Sequence, residues 1–232
     1  NVSYRIMGQA EQAAESGKQL GIAFLISVIL IIITISLNFK SFYQARLILM
    51  VIPVGVFSAI LGHGIISWIP GFEIFGNQVF GTERPFSMLS LWGVVALIGI
   101  LVNDAVVMLD KYNNNLKEGM NVEEAAIKAG RSRFRAIILT TITTFVGLFP
   151  LILETSFQTQ FLVPMAISVA FGVLFGTIIL LFYFPCLILY FNDLRRTRWW
   201  IGSLGSSQVP SKIEVEPITK ILKRENELID KQ

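Results

Sequence analysis

Two polar residues, Asn103 and Asp104, stand side by side inside the apolar stretch PFSMLSLWGVVALIGILVNDAVVMLDK at 85–111. A carboxylate can bind and release a proton, and a neighbouring amide can donate or accept a hydrogen bond. Five apolar residues, 105–109, follow before the charges Asp110 and Lys111. At about 1.5 Å of rise per helical residue, Asp104 lies roughly 8–9 Å inside the apolar boundary. An ionised carboxylate at that depth costs about 2.5–3.5 kcal/mol on insertion scales, so it is expected to face protein or water and to be used. The plainer alternative is a carboxylate that bends toward the headgroups, accepts a hydrogen bond and does nothing more.

A second set of polar side chains stands at a matching depth. The apolar run at 136–153 carries Thr140, Thr141, Thr143 and Thr144. Hydroxyls of this kind commonly bond back to their own helix carbonyls, which is the expectation for most of the four. Thr140 follows Arg135 by five residues, and Asp104 precedes Asp110 by six. If the two helices run antiparallel and touch, the two residues differ in depth by only about 1.5–2 Å. Asp104, Asn103 and Thr140 are then expected to share one polar cluster, with Arg133 and Arg135 at its mouth. Gly172 and Gly176, in GVLFG, form a small-xxx-small pattern that permits close helix approach. His63 has no Cys, Asp or second His at metal-ligand spacing, so a structural role is expected. No phosphate loop, no Ser-His-Asp order and no Cys/His cluster is found in the chain.

The elements that must hold these residues are membrane helices. Of 232 residues 53% are hydrophobic and 15% charged, which is a membrane composition and not that of a soluble domain. The net charge of +3 is spread between apolar runs and forms no basic face, so nucleic acid is not expected as a partner. The single cysteine, Cys186, allows no disulfide within the chain and reads as a small packing residue. Apolar runs at 20–37, 47–68, 86–109, 136–153 and 161–191 predict five crossings, the last beginning at the interface near Pro164.

Loop charges orient these crossings. Lys40 and Arg46 lie between the first two runs. Lys111, Lys117, Lys128, Arg131, Arg133 and Arg135 lie between the third and fourth. Arg195, Arg196 and Arg198 follow the fifth, whereas the opposite loops hold only Arg84. The Lys/Arg-rich side is expected in the cytoplasm, which puts the N-terminal flank outside and the C-terminus inside. Asn121, Glu123, Glu124 and Gly130 predict a short surface helix over 121–128. The chain begins Asn-Val-Ser, without an initiator Met, and reads as a piece of something longer. Residues 1–17 are expected to be the end of an external region, 18–194 the helix bundle and 195–232 a cytoplasmic tail. In the tail, GSLGSSQVPSK predicts a flexible linker, and Ile218, Ile221, Leu222 and Ile229 fall on one stripe of a short helix. Removal of the tail from Ser203 is expected to leave function close to normal.

GILVNDAVVMLD, followed by RSRFRAIILTTITTFVGLFPL, resembles the C-terminal membrane half of resistance-nodulation-division (RND) efflux transporters, of the hydrophobe-exporting and heavy-metal-exporting kind. MGQAEQAAES resembles the helix that leads from their porter domain into the eighth span, and the likeness covers about residues 5–195. It implies an all-α membrane protein, a five-span transmembrane helix bundle forming part of a twelve-span transporter. Residues 1–17 would then close the periplasmic porter region.

The resemblance further implies a secondary active antiporter, not an enzyme, driven by the proton gradient with no cofactor. Its partners would be membrane lipid, the rest of the same chain, a homotrimer, a periplasmic adaptor and an outer-membrane channel. The site would be the inner membrane, multi-pass, with multidrug or metal export as the function. It implies a proton relay in which Asn103, Thr140 and Arg133 match the family's positions, with Asp104 beside them and an Asp pair supplied by the other half. The best-known drug exporters carry Lys at the position of Asn103 and Asn at that of Asp104, so this chain replaces a cation by an anion displaced by one residue. A sterol-sensing receptor or scaffold of related fold is the alternative. An intramembrane aspartyl protease would need a second deep Asp, and the runs contain none.

Overall fold

The computed structural model describes residues 9–39, 41–68, 73–74, 77–78, 86–154, 156, 159, 162–202, 210–216 and 218–219. The chain orders these as α1 (Gln9–Phe39), α2 (Phe42–Leu49), α3 (Ile52–Trp68), β1 (Glu73–Ile74), β2 (Asn77–Gln78), α4 (Met88–Lys117), α5 (Val122–Leu153) and α6 (Val163–Gly202). β1 and β2 pair antiparallel over two residues each, Glu73 with Gln78 and Ile74 with Asn77. Everything else of regular structure among the described residues is helical. Five segments are long and apolar enough to cross a membrane: α1, α2 with α3, α4, α5 and α6. The fold is an all-α, five-span membrane bundle.

Local sequence explains where the helices start and break. Pro53 has no N–H to offer the carbonyl of Leu49, and its ring crowds the preceding turn. The second span therefore breaks into α2 and α3, and Val51 N–H instead bonds Ile48 O at 2.9 Å. α4 opens on a reciprocal cap: Ser90 N–H donates to Ser87 Oγ at 3.4 Å, and Ser87 N–H donates to Ser90 Oγ at 3.2 Å. This is a capping box with Ser in the place usually held by Glu or Gln. α4 turns into α5 through Gly119, whose φ of 86° suits a residue without Cβ. Asn115 Nδ2 closes the turn by donating to Ala125 O at 3.0 Å.

α5 departs from the sequence expectation. No break separates a surface helix at 121–128 from the fourth span, and α5 runs unbroken from Val122 to Leu153. Gly130 has a helical position where an added Cβ would meet only ordinary contacts, Pro185 at 3.7 Å and Met108 at 3.8 Å. A single glycine lowers helix propensity by about 1 kcal/mol, which the good helix formers on either side outweigh. α6 likewise continues through Pro185 to Gly202, 40 residues in all. At about 1.5 Å per residue it is roughly 60 Å long, twice the hydrocarbon thickness, so one end stands clear of the membrane.

α6 is the centre of the bundle, packed by α3, α4 and α5, while α1 lies at the edge against α2 and α4. Leu97, Leu101, Ala105, Met108 and Leu109 of α4 are buried with Leu180 and Phe184 of α6. On α1 the residues Ile22, Leu25, Ile26 and Ile29 are exposed, an apolar face with no cover from the described residues. Cys186 is exposed as well, so it does not pack into the core.

Candidate functional site

The helical twist separates the adjacent pair on α4. Successive residues point about 100° apart, so Asn103 is exposed and Asp104 is buried, with 8% of its surface accessible. Asp104 Oδ2 has no hydrogen-bond partner, and Asp104 makes no ion pair among the described residues. Most buried polar atoms are hydrogen-bonded, so an orphaned carboxylate oxygen inside a span needs a reason.

The other residues of the expected cluster do not gather round it. Thr140 is exposed, and its hydroxyl turns back on its own helix, 2.8 Å from Ile137 O and 3.3 Å from Ala136 O. Thr143 does the same toward Leu139 and Thr140. Arg133 is half-buried on α5, with its Nε buried and unpartnered. No hydrogen bond joins Asp104, Asn103, Thr140 and Arg133 among the described residues. Counting residues from the charged boundaries says nothing of rotation about the helix axis. Asn103 and Thr140 point out of this bundle and Asp104 points in.

Other polar contacts hold the spans together. Thr141, next to Thr140, is buried, with Oγ1 at 2.9 Å from both Ile137 O and Thr177 Oγ1, linking α5 to α6. His63 is buried on α3, with Nε2 at 2.9 Å from Ser168 Oγ on α6 and its ring edge-on to Phe86. Gln44 and Asn113 exchange two side-chain hydrogen bonds, 2.8 and 3.1 Å, between α2 and α4. The amide pair was not legible because its members are 69 residues apart. Glycine supplies the close contacts. A Cβ on Gly172 would overlap the Leu97 side chain, and one on Gly176 would come within 2.9 Å of Leu101.

A further polar cluster sits at the end of the bundle where α2 begins and α4 and α6 end. There 210–216 lies across the helices, which the linker reading of GSLGSSQVPSK did not anticipate. Asn192 Nδ2 donates to Lys212 O at 2.9 Å and also to the Glu216 carboxylate. Arg195 donates to Val215 O, stacks its guanidinium 3.7 Å from the centre of the Tyr43 ring and faces Glu216 at 3.9 Å. Arg196 Nε donates to Pro210 O at 3.0 Å, and Lys212 pairs with Glu123 of α5. Val215 and Glu216 are both buried. The expected linker at 203–209 and the stripe beyond 219 lie outside the described residues, as do residues 1–8 and most of the loop at 69–85.

Two results follow for this strap. Truncation at Ser203 removes Val215 and Glu216 and leaves Arg195, 19% exposed, without its carboxylate. The expected loss is about 2–3 kcal/mol, below the range for a fully buried pair because Arg195 keeps some solvent. It is read as a lower thermal midpoint in the truncated protein than in the parent, and an unchanged midpoint would mean the strap holds nothing. Burial pushes the Glu216 carboxyl above its ordinary range, against the smaller opposing pull of Arg195. The docked carboxyl thus binds its proton more tightly than the undocked one. Docking is strongest below the ordinary carboxylate range and weakens as pH rises through the docked value. A spin label at Ser211 is expected to gain mobility with rising pH, and Glu216→Gln to abolish that dependence. Mobility in the parent that is flat with pH would refute the coupling.

Comparison with known proteins gives this arrangement a family. A family model described as the AcrB/AcrD/AcrF family matches residues 1–192. The multidrug resistance protein MdtC of Proteus mirabilis is 28% identical over 193 residues, 83% of this chain and 17% of that protein. MdtC of Erwinia amylovora is 32% identical over 124 residues, 53% of this chain and 12% of its own length. The swarming motility protein SwrC of Bacillus subtilis is 28% identical over 153 residues, 66% and 13% of the two chains. The chain thus spans well under a fifth of the curated relatives it matches. An X-ray crystal structure of a heavy metal efflux pump shares the fold, with a TM-score of 0.61 and 21% identity over 82% of this chain and 18% of that one. A family match over most of the chain and a five-span bundle of the same fold lead to one conclusion: the chain belongs to the AcrB/AcrD/AcrF family of RND efflux transporters.

Proposed function

We propose that this chain is the C-terminal membrane half of a proton-driven exporter of small molecules, with Asp104, Asn103, Thr140 and Arg133 forming its share of the proton relay. The observation that carries the reading is Asp104, a buried intramembrane carboxylate with an unpartnered oxygen. Such groups mark ion pathways in membrane proteins. The exposure of Asn103 and Thr140 fits a relay at the boundary with the other half. A polar residue at that depth is better placed against protein or water than against lipid, and the rest of the transporter would cover it. Asp104 then stands one residue behind that boundary.

Energy comes from the proton gradient and from no bound cofactor. The Lys/Arg-rich helix ends lie in the cytoplasm, the N-terminal end is periplasmic, and the bundle sits in the inner membrane. Residues 1–17 close the porter region, 18–194 are the membrane bundle and 195–232 the cytoplasmic tail. The transporter works as a homotrimer with an adaptor and an outer-membrane channel. Drugs or metals are the cargo, after the names of the MdtC relatives and of the heavy metal efflux pump. The sterol-sensing alternative draws no support from these relatives.

The test is accumulation in cells with and without the full-length gene, over a panel of amphiphilic dyes and divalent metals. Deletion is expected to raise accumulation of members of one class, and a protonophore to raise it equally in the parent. Export that persists undiminished after the gradient is collapsed, or accumulation that deletion leaves unchanged in both classes, would overturn the reading.

A further inference from the structure

At the Arg-rich end of the bundle, beside the strap, a cavity of about 510 Å³ opens between the start of α2 and the end of α6. Three guanidinium groups line it, those of Arg46, Arg195 and Arg198, and among the described residues no carboxylate lines it. Arg195 is committed to Tyr43, Val215 and Glu216. Arg46 and Arg198 are exposed and make no hydrogen bond or ion pair among the described residues; Arg46 lies only loosely over the Tyr43 ring, 5.9 Å from its centre. Phe191, Leu194, Val215 and Trp199 add apolar surface to the same lining.

We propose that this cavity binds an anionic phospholipid, its phosphate between Arg46 and Arg198 and its glycerol and upper acyl chains along Phe191 and Leu194. The position argues for it. The apolar run of α6 ends at Phe191, and Arg195, Arg198, Trp199 and Trp200 follow within nine residues. Arginine and tryptophan so placed mark the headgroup layer. Two cations without a carboxylate partner among the described residues, lining one cavity there, complement one negative group. A planar guanidinium binds phosphate oxygens through two parallel N–H donors, which ammonium groups do not. Leu194 is half-exposed beside the cavity, so acyl chains have an apolar surface to follow outward. Tyr43, on α2, and Arg195, on α6, both line the cavity. A bound lipid would therefore bridge α2, α6 and, through Val215, the strap.

The test uses the full-length transporter, purified in mild detergent, with retained lipid counted by native mass spectrometry. Dioleoylphosphatidylglycerol and dioleoylphosphatidylcholine are titrated separately. The expected result is preferential retention of phosphatidylglycerol in the parent. Arg46→Gln with Arg198→Gln is expected to lower it about thirtyfold, in keeping with about 1 kcal/mol for each basic residue near an anionic surface. Phosphatidylcholine retention should not change, and Arg46→Lys with Arg198→Lys should restore part of the preference. Both arginines are exposed, so the variants should fold, and each single Gln variant gives an intermediate reading if the double one does not. Equal retention of the anionic lipid in parent and double variant would overturn the proposal. So would displacement of phosphatidylglycerol by millimolar inorganic phosphate, which would assign the site to a soluble anion. Because binding is read directly, the result stands apart from whether the protein exports by proton exchange.

Discussion

Asp104→Asn is expected to abolish export while the full-length transporter still inserts, assembles and melts no lower than the parent. The substitution is close to isosteric and removes only the group that can bind and release a proton. Asp104 is buried and Oδ2 has no partner among the described residues, so the native carboxylate gains nothing from them that an amide would lose. Removing an uncompensated buried charge is neutral or stabilising when nothing is left unpaired by its loss. Loss of export with unchanged or raised thermal stability therefore separates a relay residue from a structural one. Thr140→Ala is expected to weaken the same step less, since its hydroxyl is satisfied by Ile137 O within the bundle and is available to the relay only through its exposed side. The decisive measurement is export against an imposed proton gradient across a range of pH, with abundance matched. Wild-type rates in Asp104→Asn across that range would make Asp104 a structural polar residue.

Gly172→Ala is expected to lose most of the folded transporter, although it adds one methyl group. The added carbon would fall on the side chain of Leu97, which is fully buried and must shift within a filled core to admit it. Overpacking of a filled core costs about 1–3 kcal/mol, and the site lies where α4 meets the central helix α6. Helices in lipid associate through close packing, so a forced separation is not offset by a hydrophobic gain elsewhere. Gly172→Ala combined with Leu97→Ala is expected to recover part of the loss, because the second change empties the space the first one fills. Gly99→Ala is the control: nothing lies within 4 Å of an added Cβ there. It should be neutral or slightly stabilising, as replacement of a helical glycine usually is. Monodisperse protein recovered per cell reads all three variants against the parent. Equal recovery from Gly172→Ala and Gly99→Ala would show that α4 and α6 are free to move apart.

Much of this protein is legible along the chain. Apolar runs long enough to cross a bilayer appear as such because membrane insertion depends on summed side-chain hydrophobicity, a property of local sequence. The family was legible too, since NDAVVMLD and FVGLFPL are contiguous strings. Depth could be counted from charged boundaries, because helical rise is constant. What counting could not supply was rotation and partnership. Whether Asp104 or Asn103 faces inward depends on which neighbours α4 meets. That was settled by α6 taking the centre of the bundle and by the glycines that admit Leu97 and Leu101. The Thr141–Thr177 link, the Gln44–Asn113 exchange and the His63–Ser168 contact join residues 36, 69 and 105 positions apart, a separation at which local pattern carries no signal. The strap at 210–216 was hidden for the same reason. Gly, Ser and Pro describe a chain with no preference of its own, and the segment is ordered by Asn192, Arg195 and Tyr43, residues that only tertiary packing sets beneath it.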